Sequence, residues 1–200
     1  NTTGIQSNVP FDYPDYFYYR DHTRSFDGLL AFDGDPLEAI WNREGTGPTI
    51  HEQLVSGNFF SLLGVRTDLG RAFTPSDDQP DSSRPVIVLS QAFWKLQFGA
   101  DPGVVGRTLV LNGTAFTVIG VAPRDFAGLL IGMEPDFWAP LATQEIFTRD
   151  KTRSTDRNGF WLIVSGRLRR GVSQKQAQAE LTLIGRQVDQ LHPDALNHMD

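Results

Sequence analysis

Thr108-Leu-Val-Leu-Asn-Gly-Thr-Ala-Phe-Thr-Val-Ile-Gly-Val121 is the stretch on which the fold turns. Two β-prone runs, Thr108 to Leu111 and Ala115 to Val121, flank Asn112-Gly113, the dipeptide that best accepts the positive φ angles of a tight hairpin. Upstream, Pro85-Val-Ile-Val-Leu89 lacks polar alternation and reads as a buried strand. Ser90 caps a helix through Gln91 to Phe98, and Gly99 closes it. Strand, helix and hairpin in succession predict an α+β chain.

Toward the C-terminus, Phe137 to Leu141 predicts a short strand and Thr148 to Asn158 a polar boundary segment. Phe160 to Arg167 reads as a further strand. Ser173 with Gln176 three residues on forms a capping box, and Ala177, Leu181, Ile184, Val188 and Leu191 then recur at spacings of four and three on one helix face, up to His192-Pro193. Toward the N-terminus, Thr74 to Pro85 is rich in Asp, Ser and Pro and reads as a surface loop and a subdomain boundary. Asn58 to Leu63 predicts a short helix stopped by Gly64, and Thr49 to Val55 a strand. Leu29 to Phe32 and Leu37 to Trp41 flank the turn formers Asp33-Gly-Asp-Pro, which predicts a second hairpin. A helix from about Pro14 to Arg24 opens the chain, with Asp12 and Asp15 at its positive end, Arg20 and Arg24 at the other, and Tyr13, Tyr16 and Phe17 as its apolar stripe.

Composition narrows the function. With 40% hydrophobic residues, 14 Phe and 4 Trp in 200 residues, the chain has ample material for a core. A net charge of -6 supplies no basic field for phosphate backbones, which argues against nucleic acid as a partner. The absence of cysteine removes disulfides, thiolate metal sites and a thiol nucleophile. No apolar run approaches the ~20 residues that span a bilayer, and the start on Asn1, without Met or signal segment, suggests a piece of a longer protein.

Catalytic motifs begin and break off. His51-Glu52 opens like a zinc-protease helix, but Val55 stands where the second histidine belongs. Gly45-Thr-Gly-Pro lacks the third glycine of a dinucleotide loop, because Ile50 stands there, and Pro48 removes a donor. Ser56 and Ser165 have Leu54 and Ile163 where a nucleophile elbow needs glycine. His22, His192 and His198 have no ligand spacing, and Asp77, Asp78 and Asp81 lack the alternation of a calcium loop and read as a solvated loop. The segment Arg124 to Pro135 is different: Phe126, Leu129, Leu130, Ile131 and Met133 crowd a glycine-containing stretch between two strands. They form either a lid folded over the core or a partner-binding surface.

Several segments, in order, resemble the periplasmic core domain of MacB-like ABC transporter permeases. They include Tyr13-Pro-Asp-Tyr, Val55-Ser-Gly-Asn-Phe-Phe-Ser-Leu-Leu-Gly-Val, Leu69-Gly-Arg-Ala-Phe-Thr, Val105-Gly-Arg-Thr-Leu-Val-Leu-Asn-Gly, Phe116-Thr-Val-Ile-Gly-Val-Ala-Pro, Phe137-Trp-Ala-Pro-Leu and Arg167-Leu-Arg-Arg-Gly-Val-Ser. The resemblance implies a porter-like α/β subdomain from 1–72 plus 145–200, with a smaller α/β subdomain inserted at 73–144. It implies a place on the extracytoplasmic face of the inner membrane between transmembrane helices of the same permease, with ATP bound by a separate nucleotide-binding domain or subunit and no cofactor in this domain. Implied partners are the flanking helices, the cytoplasmic ATPase indirectly, a periplasmic adaptor protein and a second copy in a dimer. The implied work is mechanical coupling of ATP-driven change to export or extraction of a substrate, without catalysis here. A free periplasmic ligand-binding or sensory module, and an enzyme assembled from scattered Asp, Glu and His, are the competing readings.

Overall fold

The computed structural model describes residues 4–6, 11–35, 37–41, 47–79, 85–130 and 132–193. Pro36, Gly45, Thr46, Asp81, Ile131 and His198 of the sequence motifs lie outside them. The chain forms two compact units, one from Asn1–Ala31 with Lys151–Asp200 and one from Phe32–Asp150. Each is a mixture of helices and strands, an α+β organisation.

In the first unit, β1 (Gly4–Gln6) pairs antiparallel with β10 (Leu162–Leu168), which neighbours β2 (Phe26–Asp33). Helix α1 (Tyr13–His22) starts at Asp12, whose carboxylate accepts the Asp15 N–H at 2.7 Å and satisfies one of the donors that every helix start leaves open. It stops two residues before the expected Arg24, because Thr23 turns to extended backbone. The Thr23 hydroxyl and the Arg24 and Ser25 N–H groups then donate to the Glu180 carboxylate at 2.9, 2.8 and 2.8 Å. Tyr13, Tyr16 and Tyr19 are its buried face, and Phe17, expected in the stripe, is only half-buried. Helix α5 (Gln174–Leu191) carries the predicted Ser173–Gln176 capping box. Its buried stripe is Ala177, Ile184 and Val188; Leu181, within that run, is only half-buried, and Leu191, beyond it, is 57% exposed.

The second unit is built on β4 (Thr49–Val55), which pairs antiparallel with β3 (Leu37–Ile40) and parallel with β9 (Phe137–Pro140). β9 continues to β6 (Val86–Leu89), β6 to β8 (Thr114–Val121), and β8 to β7 (Thr108–Leu111). The free edges of β3 and β7 meet at an antiparallel bridge between Trp41 and Leu111, so these six strands close into a ring. The ring takes strands from both sides of residue 72. Ile50, Leu54, Ile87, Leu111, Phe116 and Phe137 are fully or almost fully buried on its inner face, and helix α4 (Gln144–Thr148) sets Phe147 against Phe116 and Phe137 at 5.5 and 6.0 Å.

Asn112 is the clasp of this ring. It and Gly113 take φ of 47° and 83°, the two positive angles that the sequence demanded of the β7–β8 turn. Its Oδ1 accepts the Ile40 N–H at 2.8 Å, its own N–H donates to Ile40 O at 3.0 Å, and its Nδ2 reaches Ile146 O at 3.2 Å.

The other predicted hairpin is not one. β2 and β3 do not pair with each other; Phe32 lies opposite Val55 and Leu37 opposite Glu52, so both run antiparallel to β4 along one edge. Four residues separate Phe32 from Leu37 and two separate Glu52 from Val55, so Asp33, Gly34 and Asp35 stand at a jog in the edge rather than a reversal. Asp33 is buried there and its Oδ1 accepts the Asp35 N–H at 2.9 Å.

Asn112→Gly tolerates the turn angle but loses both side-chain bonds, and should lower unfolding free energy by about 2 kcal/mol. Asn112→Ala adds the left-handed penalty of about 1 kcal/mol and should cost more. Urea melts of the two variants check the order. In the first unit, burial pushes the Glu180 carboxyl up, but the Ser25, Arg24 and Thr23 donors outweigh it and hold it below its ordinary value of 4.5. Its contribution is therefore present above pH 4.5 and lost as pH falls through the depressed value. Glu180→Gln should narrow the stability gap between pH 6 and pH 3 relative to the parent chain, read by thermal melts.

Candidate partner surface

Successive residues of β4 point to opposite faces. Ile50, Glu52 and Leu54 face into the ring; Gln53 and Val55 face outward. On that outer face the Trp138 indole N–H donates to Gln53 Oε1 at 3.1 Å, both side chains being buried. The Gln53 Nε2 has no hydrogen-bond partner among the described residues.

Aromatic rings cover this pair. Helix α2 (Phe59–Leu63), ended by left-handed Gly64 as the sequence predicts, supplies Phe59 and Phe60. Phe60 meets Trp138 at 5.6 Å and Phe73 at 5.7 Å. Phe126 completes the cluster at 6.1 Å from Phe59, 5.6 Å from Phe60 and 5.5 Å from Trp138. Just beyond, Gly128 has φ 91°, and a Cβ there would lie 3.1 Å from Gln53 Oε1, so the loop backbone runs close over the amide–indole pair.

The segment between β8 and β9 is thus tied at both ends. Phe126 anchors one; at the other Pro135 is buried, the Asp136 N–H donates to His51 O at 2.8 Å, and the Ser90 N–H donates to Asp136 O at 2.9 Å. Between the anchors Leu129 and Leu130 are half-buried and Met133 is 41% exposed, bordered by exposed Arg124, Asp125 and Glu134. The structure therefore divides the five apolar residues singled out from sequence. Phe126, itself half-buried, packs against the aromatic cluster, Leu129 and Leu130 are half-buried, Met133 is exposed, and Ile131 lies outside the described residues.

The residues weighed for chemistry serve the fold. His51 is exposed, with Nδ1 3.6 Å from Asp136 Oδ2, while Glu52 turns into the ring and is fully buried. The Ser56 hydroxyl donates to Asn58 Oδ1 at 2.7 Å. His22 contacts Tyr18 O through Nδ1 at 2.8 Å, and His192 caps α5.

The aspartates at 77 and 78 depart from the solvated-loop reading. Asp78 is buried and accepts the Gly57 and Ala142 N–H groups, both at 2.9 Å; a Cβ at Gly57 would strike Thr74 O at 2.7 Å, so only glycine lets the segments meet. Asp77 takes a bidentate pair from Arg71 at 2.7 and 2.9 Å. Burial pushes its carboxyl up, but Arg71 and Thr74 outweigh it and hold it below the usual carboxylate range. The local spacing Thr74-Pro-Ser-Asp77 is a capping-box signal that could have identified this turn.

Residues 10–184 match the family model described as MacB-like periplasmic core domain. Over 89 residues, 44% of this chain, it is 29% identical to a macrolide export ATP-binding/permease protein MacB of Aggregatibacter actinomycetemcomitans, and the match covers only 13% of that protein. The fold resembles the periplasmic region of MacB from Actinobacillus actinomycetemcomitans, with TM-score 0.63 and 16% identity over 94% of this chain and 76% of that one. It also resembles the extracellular domain of the noncanonical ABC-type transporter YknZ from Gram-positive bacteria, with TM-score 0.62 and 14% identity over 98% of this chain and 97% of that one. A domain of a permease protein from Porphyromonas gingivalis matches with TM-score 0.61 and 16% identity over 90% and 70% of the two chains. Among the described residues no helix is long and apolar enough to cross a membrane.

If the loop hangs from Phe126, then Phe126→Ala should destabilise the chain by about 2 kcal/mol, below the range for a fully buried phenylalanine. Met133→Ser should leave the melting temperature unchanged. Parallel thermal melts separate anchor from surface.

Proposed function

This chain belongs to the MacB-like periplasmic core domain family, and from that premise we propose that it is the extracytoplasmic part of an ABC transporter permease. Its work is to pass conformational change to a substrate or a partner outside the cytoplasmic membrane, while ATP is bound by a separate nucleotide-binding domain or subunit. The observation that supports a contact role is the loop between β8 and β9, pinned at Phe126 and Asp136 while Met133 is exposed and Leu129 and Leu130 are only half-buried. A loop anchored on a rigid scaffold presents side chains without a large ordering cost on binding. The proposed partners are the membrane helices of the same permease, a periplasmic adaptor protein and a second copy in the assembled transporter, with the ATPase acting from a distance.

A non-catalytic role agrees with the use made of polar side chains. Ser56, His22, Asp77 and Asp78 are engaged in turns, caps and backbone anchors. The experiment is made in the full-length parent protein. Leu130→Asp should reduce transport or adaptor capture several-fold while the 200-residue domain keeps its melting temperature. Unchanged transport and capture would remove the loop from the contact surface. A parent reading frame lacking apolar spans of ~20 residues would overturn the permease placement itself.

A further inference from the structure

Where α1 begins, the first unit buries an acidic side chain beside a second one. Asp12 is 1% exposed, and Phe11 before it is fixed to β10 by Phe11 N–H to Leu162 O at 2.7 Å and Leu162 N–H to Phe11 O at 2.9 Å. Its carboxylate caps α1 through the Asp15 N–H, and the Asp15 carboxylate in turn accepts a hydrogen bond from the Arg157 guanidinium. Asp15 and Arg157 keep only 21% and 26% of their side-chain exposure. Arg157 lies in a tight turn closed by Thr155 and Asp156 N–H groups on Thr152 O, both at 2.8 Å. The other charged or titratable groups nearby are Tyr19 on α1, Arg153 stacked over Trp161 at 3.9 Å, and Asp189 and His192 at the end of α5.

We propose that Asp12, Asp15 and Arg157 form a proton-controlled clasp: it fastens the turn at 152–158 to the start of α1 while the carboxyl pair holds one proton, and loosens when that proton passes to water. With Asp12 protonated, the Asp15 and Arg157 charges balance. With Asp12 ionised, two carboxylates share one guanidinium in a half-buried site, and a net negative charge is left there.

The direction of the shifts agrees with this geometry. Burial pushes the Asp12 carboxyl up to about 7 against the pull of the Asp15 N–H; the Asp15 charge adds to the rise and Arg157 opposes it. Burial also raises Asp15, against Arg157 and His192. Opening the clasp returns Asp12 toward its ordinary 3.8, so closure is fully favoured below that value, weakens as pH rises, and levels off above about 7. The linkage limit for one proton is about tenfold in the opening equilibrium per pH unit within that window.

Two measurements on the 200-residue chain test the clasp. Carbon-detected NMR of the Asp12 carboxyl should titrate well above the ordinary aspartate range. Hydrogen-exchange protection factors, corrected for intrinsic rate and referenced to β8, should fall several-fold between pH 5 and pH 7 in peptides covering 11–16 and 152–160, then level off. Asp12→Asn keeps the capping oxygen but cannot ionise and should flatten this dependence; Arg157→Gln should lower protection at every pH. An Asp12 carboxyl titrating below pH 5, or parental protection factors that do not change between pH 5 and pH 7, overturns the proposal without recourse to any variant.

Discussion

From Glu52 to Val55 strand β4 has no solvent side, and that constraint positions the rest of the larger unit. A strand buried on both faces serves two cores at once. Leu54 belongs to the inside of the strand ring, and Gln53 and Val55 belong to the outer aromatic cluster. Because side chains alternate, a slip of one residue would carry Glu52 out among Phe60, Phe126 and Trp138 and turn Gln53 into the ring. The Trp138–Gln53 hydrogen bond opposes that slip, since a buried indole N–H without an acceptor costs about 1–3 kcal/mol. The parallel pairing of Gln53 with Trp138 and Leu54 with Ala139 is thereby fixed, and with it the point at which the loop after β8 comes down onto the cluster.

Those parts of the fold written in local chemistry were legible from sequence. Asn112-Gly113, the Ser90 and Ser173 caps and the glycines at 64 and 99 each act within a few residues, and the structure has the turn or helix end at each. What escaped depends on distant partners. Asp33-Gly-Asp-Pro carries the same residue types whether the chain reverses or jogs along an edge, and only Phe32 opposite Val55 and Leu37 opposite Glu52 distinguish the two. Asp78 sits in a polar run that reads as solvated, yet its partners are amides 21 and 64 residues away. The site was half legible for the same reason. The apolar density of the 126–133 segment was visible, but the packing of half-buried Phe126 is decided by Phe59, Phe60 and Trp138, none of them its sequence neighbour.

Each unit is tied by a few side chains that serve several backbone or hydroxyl groups apiece. In one, Glu180 accepts from three consecutive residues; in the other, Asp78 accepts two distant amides and Asn112 joins two separate segments. The bonds to the ionised Glu180 carboxylate are charge-assisted and about twice as strong as neutral ones such as those of Asn112. Losing one such side chain releases several donors together, so the segments it holds open as a group. A domain whose proposed work is to pass on displacement gains from this arrangement, because segments that yield together transmit a movement that independently frayed loops would absorb.

Asp12 differs from the other anchoring carboxylates in the balance of donors and burial around it. Glu180 and Asp77 are surrounded by enough donors that the charged form wins over burial, so both are held low and stay ionised at neutral pH. Asp12 is more deeply enclosed, receives the Asp15 N–H, and is raised further by the nearby Asp15 charge, while the Arg157 guanidinium bonds to Asp15. A helix N-cap is served by either protonation state, because both retain an oxygen that accepts the N–H. Capping therefore exerts little selection on the proton, and the balance of burial and charge is left to set where Asp12 titrates.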